Sequence, residues 1–308
     1  MANPRSGGGK TARFDLANRA ASMGAQVWPT STEQDAASLA RHAVQEGAEI
    51  LGAAGGDGTV SAVAAVASAT DRPLLVVPAG TRNHFARDLG LDISNPVSSL
   101  SALNDGVLTR VDLGVVGPRV FLNNVSFGFY ADALLEPGYR EDKARTLASL
   151  APDYLKGAHG VEADVDTPRG TVRSPQVVLV SNNPYHIATP RYLGRRFTLT
   201  SGVLGGIVLK RPTDTPADLR RNIRSRLLQQ QPGTGPEDDA AITWTADCIL
   251  LHGQARQLHA GIDGESATLP LPITCEARPG GLQVLLPRDR PGIPPEPVPG
   301  FPRAPRHH

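Results

Sequence analysis

The segment Gly55-Gly56-Asp57-Gly58-Thr59 is the feature that most constrains the fold of this chain. Residues 48–54 before it are short and apolar, as in a buried strand, and residues 60–67 after it have the small apolar side chains of a tightly packed helix. A Gly-rich corner between a strand and a helix lets backbone N–H groups approach a phosphate. A carboxylate at such a corner can hold Mg²⁺ directly or through water. The alternative for this motif alone is a tight turn with a solvated aspartate.

A second Gly-rich loop opens the chain, over Asn3-Pro4-Arg5-Ser6-Gly7-Gly8-Gly9-Lys10-Thr11. It has Pro4 where a P-loop has its first glycine, and only two residues precede it, so we reject a P-loop. A backbone nest with Lys10 close by remains able to bind nucleotide phosphates. The alternative is a frayed terminus.

Residues 74–87 repeat the same design a third time. An apolar strand leads into the corner Pro78-Ala79-Gly80-Thr81, and a helix follows from the polar residues at 81–84. Thr81 and Asn83 can be helix caps and nothing more. Three such corners within the first 85 residues are hard to explain by capping alone.

Strands and helices alternate in the first third of the chain. Helices are expected at 14–23 and 33–46, and strands at 26–28 and 48–54. This order predicts a mostly parallel α/β sheet with binding loops at the carboxyl ends of its strands. Beyond residue 118 the segments rich in Val, Phe and Leu, separated by Pro and Gly, predict a β-rich second domain. Helices are expected there at 145–159 and 216–231.

Composition and charge narrow the class of protein. The chain has 308 residues, 40% hydrophobic and 20% charged, which suits a soluble globular protein of one large or two ordinary domains. A net charge of +1 gives no reason to expect nucleic acid as a partner. No apolar run reaches the roughly 18 residues of a membrane span, and no secretory signal is expected. Cys248 and Cys275 are most simply reduced, buried and structural.

Seven motifs follow one another along the chain: Asn3-Pro4-Arg5-Ser6-Gly7, Gly55-Gly56-Asp57-Gly58-Thr59, Pro78-Ala79-Gly80-Thr81-Arg82-Asn83, Val111-Asp112-Leu113-Gly114, Phe121-Leu122-Asn123-Asn124, Ser181-Asn182-Asn183-Pro184-Tyr185 and Ile262-Asp263-Gly264-Glu265. This ordered set resembles the catalytic domain of the diacylglycerol kinase family, in particular the bacterial lipid kinases related to sphingosine and ceramide kinases. Gly-Gly-Asp-Gly-Thr alone is shared with NAD kinases and phosphofructokinases, and the full set is more selective. The resemblance covers roughly residues 1–287.

The resemblance implies an α/β fold of two domains with the active site in the cleft between them. We expect an ATP-binding domain at 1–118, to which 279–287 returns as a last strand. The β-sandwich that binds the acceptor is expected at 119–278. A Pro-rich tail is expected at 288–308.

The resemblance also implies the roles of the site residues, since phosphoryl transfer needs a phosphate cradle, a cation and a base. Asp57 is expected to organise Mg²⁺ and to be essential for catalysis, and Glu265 is expected to be the general base. The alternative for Glu265 is a turn carboxylate, because Asp263-Gly264 is a common hairpin signal. The ATP cradle is expected from Asn3, Ser6, Gly7, Lys10, Gly55, Gly56, Gly58, Thr59, Gly80, Thr81 and Asn83.

Two positions depart from the family pattern. Similar kinases usually have Asn-Asp where this chain has Asn83-His84, which changes the fine geometry expected there. Many relatives carry an Asp-Gly pair, tied to an auxiliary structural Mg²⁺, where this chain has Ser201-Gly202. Serine is a poor replacement for a carboxylate ligand, so a second metal is not assigned.

The predicted helix at 215–231 is basic and amphipathic. Such a helix can rest on an anionic membrane surface, each arginine contributing on the order of 1 kcal/mol, or it can simply pack on its own domain. Its apolar face would carry Leu219, Ile223 and Leu227, and its cations are Arg220, Arg221, Arg224 and Arg226.

These patterns together predict an ATP-dependent, Mg²⁺-requiring lipid kinase that phosphorylates a hydroxyl of a diacylglycerol-like or other lipid alcohol. One alternative is an NAD-kinase-type phosphotransferase with a soluble substrate, and another is a catalytically silent protein that binds lipid or nucleotide. The expected partners are the lipid alcohol and, reversibly, the membrane surface, with a homodimer left open. The expected location is the cytoplasm, at the inner membrane surface.

Overall fold

The computed structural model describes residues 1–136, 160–187, 194–211 and 241–290, which fall into two compact units. Of the described residues, unit 1 holds 1–113, 197–201 and 278–290, and unit 2 holds 114–136, 160–187, 194–196, 202–211 and 241–277. The chain changes unit inside two long strands, between residues 113 and 114 and between 277 and 278. The expected boundary after residue 118 lies a few residues beyond the first of these points.

Unit 1 is the α/β unit. Its helices are α1 (Lys10–Arg13), α2 (Leu16–Ser22), α3 (Ala36–Gln45), α4 (Asp57–Ala69), α5 (His84–Asp88) and α6 (Ala102–Asp105), with 3-10 helices at Ser6–Gly8 and Pro96–Ser101. Strands β1 (Leu51–Gly55) and β2 (Leu74–Pro78) are parallel, and β2 pairs in parallel with residues 284–285 of the last strand. The predicted parallel α/β fold, with a returning last strand, is confirmed.

The sequence of β2 explains its central place in this sheet. All five of its residues are buried, as expected of a parallel strand covered on both faces. Leu75 and Val77 pack in one cluster with Leu16, Leu100 and Leu285, which come from helices and from the last strand. Apolar burial on this scale fixes the strand, and with it the loop that follows Pro78.

The strand predicted at residues 26–28 is wrong, since the structure forms none there. Ala2 bridges both Pro29 and Ala54, and its N–H and carbonyl bond to Trp28 and Thr30, so the pairing of this segment is limited to one isolated bridge at Pro29. A strand exists only where its backbone groups pair with a neighbour. The apolar pattern of residues 26–28 was therefore not enough.

Unit 2 is a β-sandwich. Its strands are β3 (Val107–Val116, which begins in unit 1), β4 (Arg119–Phe121), β5 (Asn124–Gly128), β6 (Asp164–Thr167), β7 (Gly170–Val172), β8 (Val177–Asn182), β9 (Leu204–Leu209), β10 (Ala241–Ala246), β11 (Cys248–His252), β12 (Gln257–Ile262), β13 (Glu265–Pro270) and β14 (Ile273–Leu286, which ends in unit 1), with helix α7 at Phe129–Ala133. One antiparallel sheet has the order β10-β9-β8-β5-β12-β13. The first half of β14 pairs with β11, followed by β6 and β7, in the other sheet.

Both sheets of unit 2 contribute to one apolar core. Val125 and Val178 from the six-stranded sheet lie in the same cluster as Val165 and Leu251 from the other. Cys275 is buried in this core, and burial raises the pKa of its thiol to about 12, so the thiol stays protonated. Cys248 is exposed, which corrects the expectation that both cysteines are buried. Both are unpaired, as predicted.

Several expectations fall on residues outside the described ranges. The predicted helices at 145–159 and 216–231 lie there, as do residues 291–308 of the Pro-rich tail. Among the described residues, no helix has the length and apolar character needed to cross a membrane.

Gly114 tests the packing of unit 2. It pairs with Phe121 across β3 and β4, and a Cβ at position 114 would lie 2.0 Å from the Cζ atom of that fully buried ring. Gly114→Ala should therefore lower the free energy of unfolding by roughly 1–3 kcal/mol. Chemical denaturation followed by circular dichroism measures the change.

The matched control for Gly114→Ala is Gly52→Ala. Gly52 is also a strand glycine, but a Cβ there meets no atom within 4 Å. The control should be neutral or stabilising by about 0.5–1 kcal/mol, because alanine loses less backbone entropy on folding. Equal effects of the two substitutions would contradict the proposed packing.

Candidate active site

The corner between β1 and α4 forms as the sequence predicted. Gly55 ends the strand, Gly56 is the residue before the helix, and Asp57 is the first helical residue. Gly58 is exposed in the first turn, whereas the side chain of Thr59 is buried. The first N–H groups of α4 have no carbonyl partner within the helix, so they are the groups that an anion can approach.

The loop after β2 lies directly against this corner. A Cβ on Gly80 would lie 2.3 Å from the Cα atom of Gly56, closer than any side chain can come. Gly56 has φ −89°, which any residue can adopt, so the glycine is needed for close approach and not for a left-handed conformation. The two strand ends meet backbone to backbone.

Asn83 holds the second loop in place. It sits before α5 in the left-handed region (φ 52°), and its side chain makes no capping bond to that helix. Instead its Oδ1 atom accepts the N–H of Gly80 at 2.8 Å, and its Nδ2 atom donates to the carbonyl of Gly80 at 2.9 Å. The capping interpretation of Asn83 is therefore wrong. Thr81 is exposed at the tip of the loop.

The opening loop of the chain joins the same corner. The Nδ2 atom of Asn3 donates to Oγ1 of Thr59 at 3.3 Å, and the N–H of Gly56 donates to Oγ of Ser6 at 3.3 Å. Gly7 is left-handed (φ 56°), and a Cβ there would lie 2.4 Å from the carbonyl oxygen of Ala79. The frayed-terminus interpretation is therefore wrong. Lys10 begins α1 directly after this loop.

Charged groups line the corner in unit 1. Oδ1 of Asp57 accepts the N–H of Phe85 at 3.4 Å, which ties the carboxylate to the start of α5. Loss of water contact lowers the pKa of the partly exposed His84, although the Asp57 carboxylate opposes the shift; Arg82 and Arg87 add to it. The imidazole is therefore neutral at pH 7 and does not pair as a cation with the Asp57 carboxylate.

The donor set of the corner suits Mg²⁺ that arrives with a nucleotide. Asp57 supplies one carboxylate, and no group of three or more His, Cys, Asp or Glu side chains suited to a metal occurs among the described residues. Mg²⁺ in phosphate sites is usually held by one or two carboxylates, phosphate oxygens and water. The residues present therefore fit a metal–nucleotide complex better than a resident metal.

Glu265 belongs to unit 2, where it is the first residue of β13. It follows the two-residue turn Asp263-Gly264, whose φ angles of 49° and 86° are both left-handed, as in a type I′ hairpin. The sequence therefore predicted this turn correctly. The side chain of Glu265 is exposed.

Sequence reasoning gave no role to a buried polar cluster beside this turn. The Asp263 carboxylate accepts the backbone N–H groups of Leu122, Asn123 and Asn124. Arg196 is 1% exposed and donates to the carbonyl of Leu122 from the same cluster. The Asn pairs at 123–124 and 182–183, each beside a strand end, were the available signal.

Comparison of the sequence with known proteins identifies the family of this chain. The family model described as diacylglycerol kinase catalytic domain matches residues 1–116. A protein of Pseudomonas savastanoi pv. phaseolicola named "Probable lipid kinase YegS-like" is 31% identical over 269 residues, which cover 83% of this chain and 82% of that protein. A diacylglycerol kinase of Mycobacterium tuberculosis (strain H37Rv) is 28% identical over 272 residues, 82% of each chain.

A solved structure has the same fold. The crystal structure of a diacylglycerol kinase from Bacillus anthracis superposes with a TM-score of 0.63 and 17% identity, covering 92% of this chain and 94% of that one. At this identity the likeness speaks for the fold alone. The similarity to the Pseudomonas protein, which extends over most of both sequences, settles the family. The chain belongs to the diacylglycerol kinase catalytic-domain family.

Proposed function

We propose that this protein is an ATP- and Mg²⁺-dependent lipid kinase that transfers the γ-phosphoryl group of ATP to a hydroxyl of a lipid alcohol. Its family supports a kinase in general terms, because the relatives are named as diacylglycerol or lipid kinases. The observation that carries the proposal is the contact of Gly56 with Gly80, held by Asn83, beside the carboxylate of Asp57.

The nucleotide phosphates would bind at this contact. The N–H groups of Gly56 and Gly80 already donate to the Ser6 and Asn83 side chains, so the phosphates would meet the first N–H groups of α4, which no carbonyl of that helix accepts. N–H groups at the start of α4 and a Gly-rich opening loop favour anionic oxygens. Asp57 would hold Mg²⁺, which supplies charge neutralisation on the phosphoryl oxygens when bound. The His84 imidazole, neutral at pH 7, leaves that carboxylate available as the metal ligand.

The acceptor would be activated in unit 2. Glu265 would accept the proton of the lipid hydroxyl as that oxygen attacks the γ-phosphorus, and the bond from the γ-phosphorus to the bridging oxygen of ADP would break. The turn Asp263-Gly264 gives the Glu265 side chain a fixed backbone origin. A lipid acceptor also supports reversible contact with an anionic membrane surface, at the cytoplasmic face of the membrane.

The acceptor is found by direct transfer. Purified protein is incubated with γ-labelled ATP, Mg²⁺ and mixed vesicles that contain diacylglycerol, sphingosine, ceramide or a total lipid extract, with NAD in a parallel reaction. Label in an extracted lipid supports the proposal, and mass spectrometry identifies the product. Label in NAD alone would indicate a soluble-substrate phosphotransferase. Absence of label from every acceptor would leave a binding protein.

Gly56→Val tests the nucleotide corner. A Cβ at position 56 would lie 3.3 Å from the Cα atom of Gly80, and the two γ-methyl groups would press on the second loop and occupy space beside the N–H groups. Loss of one hydrogen bond to a charged oxygen costs about 1.5–3 kcal/mol, so affinity for Mg·ATP should fall roughly tenfold or more. Calorimetric titration measures it. Gly52→Val, in open space on β1, should bind like wild type; unchanged affinity in Gly56→Val would place the cradle elsewhere.

Glu265→Gln and Asp57→Asn should affect ATP binding and turnover in different ways. Glutamine keeps the shape of glutamate but not its basic oxygen, so turnover should fall by roughly 10²–10⁴-fold with little change in ATP affinity. Asp57→Asn should lose Mg²⁺-dependent nucleotide binding together with turnover. Kinase assays and titrations on both proteins decide. Loss of ATP binding in Glu265→Gln, or wild-type turnover with chemistry rate-limiting, would show that Glu265 is not the base.

A further inference from the structure

We infer that Asp263 is a positioning residue for Glu265: its carboxylate fixes the segment Leu122-Asn123-Asn124 against the hairpin tip that carries Glu265. The inference rests on the proposed function, because it needs Glu265 to be the base. Every contact that carries it lies within unit 2.

The carboxylate of Asp263 spans three consecutive peptide groups. Oδ2 accepts the N–H of Leu122 at 2.8 Å, and Oδ1 accepts the N–H groups of Asn123 at 2.7 Å and Asn124 at 3.1 Å. In the other direction, the N–H of Asp263 donates to the carbonyl of Asn124 at 2.9 Å. Hydrogen bonds to an ionised acceptor are stronger than neutral ones, so this is a firm attachment of the turn to the start of β5.

Arg196 holds the same segment by its carbonyl side. Its guanidinium donates to the carbonyl of Leu122, to the carbonyl of Asn182 at 2.9 Å and to Oδ1 of Asn123 at 2.8 Å. Leu122 is therefore bonded through its N–H to a carboxylate and through its carbonyl to a guanidinium. A buried cation is tolerated only when such partners satisfy it. The bonds from Arg196 thus hold in place the same segment that is bonded to Asp263.

The hairpin does not need this carboxylate to form. Asn-Gly and Gly-Gly make the same two-residue turn, and β12 and β13 are paired at every position from Gln257–Pro270 to Ile262–Glu265. The side chain of Asp263 adds something that the turn does not require, which is a fixed position of its tip relative to β5. A general base needs such placement, since an error of about 1 Å can cost on the order of 100-fold in rate.

The experiment is a double-mutant cycle on the full chain with the lipid acceptor found above. Asp263→Asn keeps size and turn preference, but its amide cannot accept bonds at both oxygen positions. Asp263→Gly keeps the left-handed turn and removes all three bonds, and serves if the asparagine variant folds poorly. Each is made alone and together with Glu265→Gln. Turnover number, KM for ATP and the melting temperature are measured for all of them.

If Asp263 positions Glu265, the losses in turnover caused by the Asp263 and Glu265 substitutions should not add. Each Asp263 substitution should lower the turnover number about 10- to 100-fold with KM for ATP unchanged, and should cost less than about threefold when it is combined with Glu265→Gln. The control is Asp164→Asn in the other sheet, whose carboxylate also accepts a backbone N–H, that of Ser174 at 3.1 Å; it should turn over like wild type.

Three results would overturn the inference. Equal losses with and without the Glu265→Gln substitution would mean that Asp263 acts through folding alone, and wild-type turnover in folded Asp263 variants would mean that it does not act. Wild-type turnover in Glu265→Gln would show that Glu265 is not the general base, and Asp263 would then have no base to position. A wild-type protein that phosphorylates no acceptor would contradict the proposed function itself, and that failure is recognised in the wild-type reaction alone.

Discussion

The contact between Gly56 and Gly80 is the constraint on which unit 1 depends. Two parallel strands end side by side, and the loops that follow them can meet only because neither carries a side chain at the contact. The Asn83 amide then closes one loop on itself, and Ser6 and Asn3 attach the opening loop to the other. The N-terminus of α4 lies at this contact, and helix N-termini are where backbone N–H groups without a partner in the helix can bind phosphate.

Most of the fold of unit 1 could be predicted from the sequence, because its strongest signals are local. The apolar run of β2 and the small side chains of α4 report burial directly, and the glycines between them mark corners. The strand predicted at residues 26–28 was wrong because the formation of a strand is not decided locally. Whether an apolar segment becomes a strand depends on a neighbour from elsewhere in the chain, and a local pattern carries no information about that neighbour.

The candidate site shows the same division. The hairpin signal Asp263-Gly264 consists of two adjacent residues, and the structure forms a two-residue turn there. The bonds from Asp263 to residues 122–124 span about 140 positions, so no short pattern reveals them. Helix capping was the alternative interpretation of Asn83, based on its position before a helix, whereas its side chain binds back to Gly80. Polar residues at strand ends are better understood once their distant backbone partners are known.

The pairing of the last strand affects the order in which the two units complete their folding. Val284 and Leu285 pair with Leu74 and Leu75 in the sheet of unit 1, although the strands of unit 2 are synthesised in between. A nascent chain folds its domains as they emerge. The described residues of unit 2 end at 277, whereas the nucleotide corner rests on a sheet that lacks one strand until residues 284–285 have been added. We expect the first unit begun on the ribosome to be the last one finished.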